Sequence, residues 1–345
     1  MARSWVELDG GLGEGGGQIL RTALTLSLLT GRGFHLTNIR AGRAKPGLQP
    51  QHLTCVHAAA AIAQGKTQGA VLGSSELIFE PGAIQAGTYH FAVGTAGATG
   101  LVLHTVALPL ALGVSTASDV TLSGGTHVRA SPSFHFNDIT WRAYLQAMGV
   151  MLRQQLVRPG FYPRGGGVVR VRIEPSVGLR PLQLRERGPI RSAGGFSAVA
   201  GLPSSIAQRQ ARRAVNRLRQ AGLEAHIREE TWPNGPGTVL AIQLDTEPAP
   251  TLFVGLGERG KPAERVADEA ADQALAYARA APAAVDPYSA DQLVLPLALA
   301  NGPSSFTVSE VTSHLRTNVE VVRRFLDRTI CCEGDIGQPG EVVIP

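Results

Sequence analysis

"QILRTALTLSLLTGRGFHLTNIRA", residues 18–41, reads as an apolar helix, a glycine turn and a strand. The plan returns at 97–124, "GATGLVLHTVALPLALGVSTASDVTLSG", and at 291–309, "DQLVLPLALANGPSSFTVS". Each copy precedes a short loop and a second helix: "LQPQHLTCVHAAAAIAQG" (48–65), "PSFHFNDITWRAYLQAMG" (132–149) and "TSHLRTNVEVVRRFL" (312–326). After the first two come β-rich segments with Gly and Pro turns, "AVLGSSELIFEPG" and "GGGVVRVRIEPS". Repetition on this scale decides the fold. It predicts an α/β core of three units, each with two helices on one face of a sheet.

The segment 182–281 differs in character and reads strand, helix, three strands, helix, an order that closes as a small inserted α/β domain. The core is then 1–181 and 282–345. Its basic helix, 206–219, is read as a solvated arginine face opposite Ile206, Ala214 and Leu218, with nucleic-acid contact as the alternative.

The 345 residues, 43% hydrophobic, can bury a large core. No apolar run reaches the roughly 18 residues of a membrane span. "LVLHTVALPLALGV" at 101–114 is interrupted by His104, and "MARSWVELDGG" has no apolar signal core. Cys55, Cys331 and Cys332 lack C-x-x-C spacing, which argues against a disulfide framework or zinc ribbon and for a reduced, cytoplasmic setting.

The net charge of +5 is unevenly spread. Between Glu14 and Glu76 no Asp or Glu occurs, while Arg21, Arg32, Arg40, Arg43, Lys45 and Lys66 do. A surface facing phosphates needs such an acid-free block, because each carboxylate would cancel attraction.

Two phosphate-loop patterns fail on inspection. "GLGEGG" at 11–16 lacks the acid a dinucleotide site needs about 20 residues on, and in "GLGERGKP" at 255–262 Pro262 replaces the magnesium-binding hydroxyl. Other loops are better placed. "GEGGGQILR" at 13–21 sets Glu14 and Arg21 around an open backbone, and "IRAGRAKPGLQPQH" at 39–52 carries Arg40, Arg43, Lys45, Gln51 and His52. The equivalent loop of the second unit offers His127 and Arg129; that of the third offers His314. In "PYSADQLVLPLAL" at 287–299, Tyr288 suits a nucleobase, and Asp291 suits a ribose, a metal or a helix N-cap. Thr317 and Glu320 form a T-x-x-E capping box, so the last helix is expected to begin at Thr317, with His314 in the preceding loop. There, beside positive partial charge, a neutral imidazole is a candidate nucleophile.

As a set, "GEGGGQILR", "IRAGRAKPGLQPQH", "GTAGATGLVL", "SGGTH", "GFYPRGGG", "YSADQL" and "SHLRTNVEVVRRFL" resemble the RNA 3′-terminal phosphate cyclase family over nearly the whole chain. The resemblance implies three units similar to the C-terminal domain of translation initiation factor 3 and a thioredoxin-like insertion. It implies ATP as co-substrate, a histidine–AMP intermediate, an RNA adenylate, a 2′,3′-cyclic product and a divalent metal, Mg2+ or Mn2+. Carried over by position, His314 takes AMP. Tyr288, Ser289, Ala290, Asp291 and Gln292 bind the nucleotide, Arg21, Arg40, Arg43 and Gln51 lie near phosphates and the RNA end, and Glu14 is the metal-side acid. The family's "LVLQ" segment here reads "LVLH", which puts His104 against the nucleotide. Rival readings are a non-catalytic cyclase-like RNA-binding or ribosome-assembly protein, an enolpyruvyl transferase built from related repeats, and generic nucleic-acid binding.

Overall fold

A computed structural model describes residues 5–280 and 283–345. The first unit comprises β1 (Val6–Asp9), α1 (Gln18–Thr30), β2 (Phe34–Thr37), α2 (Pro50–Ala63), β3 (Lys66–Gln68) and β4 (Leu77–Glu80). The second comprises β5 (Thr88–Ala92), α3 (Thr99–Leu112), β6 (Ser118–Gly124), a second helix, β7 (Leu152–Arg158) and β8 (Gly167–Ile173). That helix is α4 (Phe134–Phe136) and α5 (Arg142–Ala147), joined by a π-helical turn at Asn137–Trp141.

A short strand, β9 (Gln183–Leu184), precedes the excursion β10 (Ser192–Ala200), α6 (Ser204–Gln220), β11 (Ala225–Trp232), β12 (Gly237–Asp245), β13 (Thr251–Leu256) and α7 (Ala263–Arg279). The chain returns through α8 (Pro287–Ala298), β14 (Ser304–Val308), α9 (Ser313–Phe325), β15 (Cys331–Glu333) and β16 (Gly340–Ile344).

The three units share one sheet plan. The orders are β1-β2-β4-β3, β5-β6-β8-β7 and β9-β14-β16-β15, with the first pair parallel and the others antiparallel in each. In the third sheet Gln183 pairs with Ser305, so β9 is the unit's first strand and the excursion interrupts that unit. β9 thus falls within the segment read as inserted, 182–281, while pairing with a strand of the third sheet. That segment's expected end at 281, and the core's resumption at 282, lie outside the described residues.

Hydrophobic patterning explains the stacking. Helix α1 buries ten of its 13 residues, and α3 twelve of 14, so each is apolar on nearly every side and must be surrounded. Leu24 and Leu26 of α1, Val102 and Val106 of α3, and Val319 and Val322 of α9 join one apolar core running through all three units. The excursion has a second core, from Ala214 and Leu218 of α6, Leu240 and Ile242 of β12 and Ala270 and Ala274 of α7. An aromatic cluster joins the two regions: His127 and Phe161 from the second unit pack with Trp232, and His135 packs on Phe196.

Three of the five α6 arginines form a ladder of ion pairs with α7, on a face that stays largely exposed. Arg209 pairs with Glu264 at 2.7 Å, Arg213 with Asp268 at 2.8 Å and Arg217 with Asp272 at 2.6 Å, all acids of α7.

Candidate active site

The cleft is built from helix beginnings. The N-terminal turns of α1, α2, α3, α8 and α9 contribute to the wall of a cavity of about 640 Å³, a volume suited to a nucleotide-sized ligand. β13 and α7 close another side through Leu252, Val254, Leu256 and Gln273. The N-termini of α1 and α3 have no side-chain cap, and helix N-termini converging with positive partial charge on one space favour an anion.

Helix α9 begins earlier than its capping-box pattern predicts. Thr312 is the N-cap, its hydroxyl accepting from Leu315 N at 3.0 Å, so His314 stands in the first turn rather than in a loop. Thr317 donates its hydroxyl to Ser313 O at 2.7 Å, and Glu320 pairs with Arg323. The upstream threonine wins because Ser313–Phe325 puts the buried Leu315 on the same face as Val319 and Val322.

His314 Nδ1 faces two acceptors, Glu14 Oε1 at 2.7 Å and Gln18 Oε1 at 3.0 Å. With the proton fixed on Nδ1, Nε2 is the nitrogen left for chemistry. The hydrogen bond to Glu14 raises the His314 pKa above its ordinary value, against burial, and the nearby charges of Glu14 and Asp291 add to the rise. The neutral imidazole expected from the helix terminus is thus opposed by a carboxylate at contact distance. Burial pushes the Glu14 carboxyl up, but His314 and Arg43, the latter at 3.0 Å, outweigh it and bring the pKa below its usual value.

Asp291 lies in the second turn of α8 and is not the N-cap. Asp286 is, accepting from Tyr288 N at 2.9 Å and Ser289 N at 3.0 Å. Asp291 Oδ2 accepts from Gln18 Nε2 at 2.7 Å, and burial raises its pKa to about 6 despite the opposing charges of His314 and Arg21. A connected array results: Asp291, Gln18, His314, Glu14, Arg43.

The cation loop is held in a demanding conformation. Arg40 has φ +55°, a left-handed backbone that costs a branched or long residue about 1 kcal/mol or more. Ile39 N to Ser75 O at 2.9 Å and Gly47 N to Ile39 O at 2.8 Å hold it there. Arg21, partly buried, has no side-chain hydrogen bond or ion pair among the described residues and lines the cleft. A buried guanidinium without a partner is costly, so an anion is the natural complement.

His52 is a buried wall residue. Its Nδ1 accepts from Gln49 N at 3.1 Å, and burial, then the charges of Arg21 and Arg40, lower its pKa to about 3. Gly17 faces it, and a Cβ there would lie 2.2 Å from His52 Nε2. His104 stacks on Trp141 at 4.1 Å and donates from Nε2 to Asn137 Oδ1 at 2.8 Å; burial holds its pKa near 4.

Among residues singled out in the sequence, Glu14, Arg21, Arg40, Arg43, Gln51, His104, Tyr288, Asp291, Gln292 and His314 line the cavity. Ser289 and Ala290 do not: Ser289 is turned to Asp286 and Ala290 is fully buried in packing. His127 is also elsewhere, bonded to Thr126 at 2.8 Å and His135 at 3.0 Å. Sequence reading missed Gln18 and Asn318. Both sit inside quoted motifs, yet amides give no charge signal, and their roles emerge only where Thr22 donates to Asn318 Oδ1 at 2.6 Å and Gln18 bridges Asp291 and His314.

A polarised histidine, unpaired cationic groups and converging helix N-termini have the chemistry of a phosphate-handling enzyme site. The family model described as RNA 3′-terminal phosphate cyclase matches residues 12–332. A protein of Ralstonia nicotianae with that name is 48% identical over 322 residues, 93% of this chain and 91% of its own length. Proteins of the same name from Caldivirga maquilingensis and Salmonella typhimurium are each 44% identical, covering 94% and 95% of this chain and the same shares of their own lengths. The chain belongs to the RNA 3′-terminal phosphate cyclase family.

Proposed function

We propose that this chain is an ATP-dependent RNA 3′-terminal phosphate cyclase, a ligase-class nucleotidyl transferase working through His314. The observation that carries the reading is the orientation of that imidazole by Glu14 and Gln18 at the mouth of a cationic cleft. Nε2 attacks the α-phosphorus of ATP, forming a P–N bond and breaking the α–β P–O bond, and pyrophosphate leaves. An oxygen of the RNA 3′-phosphate then displaces the histidine, giving an RNA adenylate. The adjacent 2′-hydroxyl attacks the 3′ phosphorus, AMP leaves and the hydroxyl proton passes to solvent; proximity makes this last step easy. Arg21, Arg40, Arg43 and Gln51 are assigned to the phosphates and the RNA end. Tyr288, Asp291 and Gln292 are assigned to the nucleoside, His104 backs it, and Ser289 and Ala290 shape the same turn. Gln292 Oε1 is buried without a partner among the described residues, an acceptor suited to a ligand N–H.

Among the described residues no group of three or more His, Cys, Asp or Glu could hold a metal ion. Glu14, though its two oxygens face His314 and Arg43, is assigned as the acid beside an ion otherwise completed by phosphate oxygens and water, as Mg2+ prefers. Bound there, Mg2+ or Mn2+ would neutralise phosphate charge. We assign residues 182–281 to an inserted domain of thioredoxin-like type and the three units to the initiation factor 3 type. A cytoplasmic setting suits the free thiols of Cys55, Cys331 and Cys332, and no helix among the described residues is long and apolar enough to cross a membrane.

ATP labelled at the α-phosphate tests the mechanism. Wild-type protein should acquire acid-labile, alkali-stable label that leaves as AMP on adding RNA with a 3′-phosphate, and His314→Asn should acquire none. Absence of label where ATP binding is demonstrable would overturn the enzyme and favour the non-catalytic RNA-binding reading.

A further inference from the structure

The motif "GFYPRGGG", 160–167, has no part in the steps above, and its place in the fold points to a use. The loop sits against the cleft's rim. Gly165, at φ +65°, lies so close to residues 95 and 96 that a Cβ would meet Thr95 O at 2.6 Å. Two residues on, Ala98 N donates to Gln51 Oε1 at 3.1 Å, and Gln51 lines the cleft. Tyr162 at the loop's tip is 77% exposed.

Beyond the loop runs β8, whose residues alternate: Val169, Val171 and Ile173 are buried, while Arg170 and Arg172 are exposed. On the neighbouring β7, Arg153 pairs across from Arg172, Gln155 from Arg170 and Arg158 from Val168. The solvent face of this sheet is therefore cationic. Its facing acid on β6, Asp119, is held by Arg172 at 3.0 Å. Arg153, Arg164 and Arg170 have no ion pair or side-chain hydrogen bond among the described residues, whereas the arginines facing α7 are each matched to an acid.

We propose that this loop and sheet face form the track for the RNA strand upstream of its 3′ end, a reading that rests on the proposed cyclase activity. Unmatched arginines attract successive phosphates, and an exposed tyrosine offers a stacking surface for a base without regard to sequence. β8 has 7 residues and so extends about 24 Å at roughly 3.4 Å per residue, enough for a few nucleotides. The strand would leave the cleft past Gln51, cross Tyr162 and lie over Arg170 and Arg153.

The test uses the full-length protein and fluorescent RNAs with 3′-phosphates, one of roughly twelve nucleotides and one of about three, read by anisotropy across a salt series. In the variant R153A/R170A the longer RNA should bind roughly tenfold more weakly, with the log–log salt slope reduced by about 0.7 per cation removed. Tyr162→Ala should weaken it without changing the slope, and R153K/R170K should restore binding. Cyclisation of the short RNA and labelling by ATP should stay at wild-type level. Unchanged binding of the longer RNA, or equal loss for both lengths, would overturn the track. If wild-type protein neither takes label nor cyclises RNA, the enzyme reading falls, while the length-dependent anisotropy contrast still decides the surface.

Discussion

Glu14 Oε1 lies 2.7 Å from His314 Nδ1, although 300 residues separate them in the chain. The contact makes Nε2 the reactive nitrogen and raises the His314 pKa. Replacing Glu14 by Gln removes the strongest influence on that shift, so the pKa should fall. Protein labelling needs an unprotonated Nε2 and therefore rises with pH through this pKa. In E14Q the rising limb should move to lower pH, while the maximal rate drops because the imidazole is less firmly oriented. An NMR titration of the His314 ring with and without the substitution checks the sign; a pKa that stays or rises would show that Glu14 does not set it.

Arg21 is expected to matter for ligand more than for folding. It has no ion-pair or side-chain hydrogen-bond partner among the described residues, so Arg21→Met, which keeps the aliphatic bulk, should leave Tm unchanged or higher. ATP-dependent labelling should weaken by roughly thirtyfold or more, the order expected when one partner of a buried charged contact is removed. Arg21 also lowers the pKa values of His52 and His104, so both should rise in the variant. A marked fall in Tm with intact ATP binding would assign Arg21 to structure instead.

The α6 ladder predicts the opposite pattern. Arg209, Arg213 and Arg217 are exposed or half-buried and already matched by Glu264, Asp268 and Asp272. Changing all three to Gln should lower Tm slightly, an effect that fades in high salt, and should alter RNA affinity by less than about twofold. A large loss of RNA affinity would place nucleic acid on α6 after all.

These elements show how far the sequence could be read. Apolar all-round helices such as α1 and α3 announce themselves, and the triplicated pattern carries sheet order with them. Local competition was not legible: Thr312 and Thr317 both begin plausible helices, and only the buried Leu315 decides between them. Long-range pairing was equally hidden. Nothing in residues 206–219 says that Arg209, Arg213 and Arg217 meet acids about 55 residues later, nor that two-residue β9 belongs to the third sheet. Charge and imidazole single out Glu14, Arg21 and His314 in the sequence, and the structure brings all three to one cavity, whereas amides such as Gln18 stand out only through geometry.

Four buried histidines predict how stability follows pH. Burial depresses His52 to about 3, His104 and His135 to about 4, and His127 well below its ordinary value, which is near 6.5 when unfolded. Below about pH 6.5 the unfolded chain therefore binds protons that the native chain refuses, and stability falls as pH drops toward 4. Asp291, raised to about 6, and Asp286, His314 and His35, all raised, act in the reverse sense over parts of this window and offset some of the loss. Each depressed histidine is worth up to roughly 1.4 kcal/mol per pH unit. The urea midpoint should thus be clearly lower at pH 5 than at pH 7. His135→Phe should flatten this dependence by one proton's share, at some cost in stability at pH 7, because His127 Nε2 loses its partner. A midpoint that does not move between pH 7 and 5 would mean that these histidines are not buried neutral.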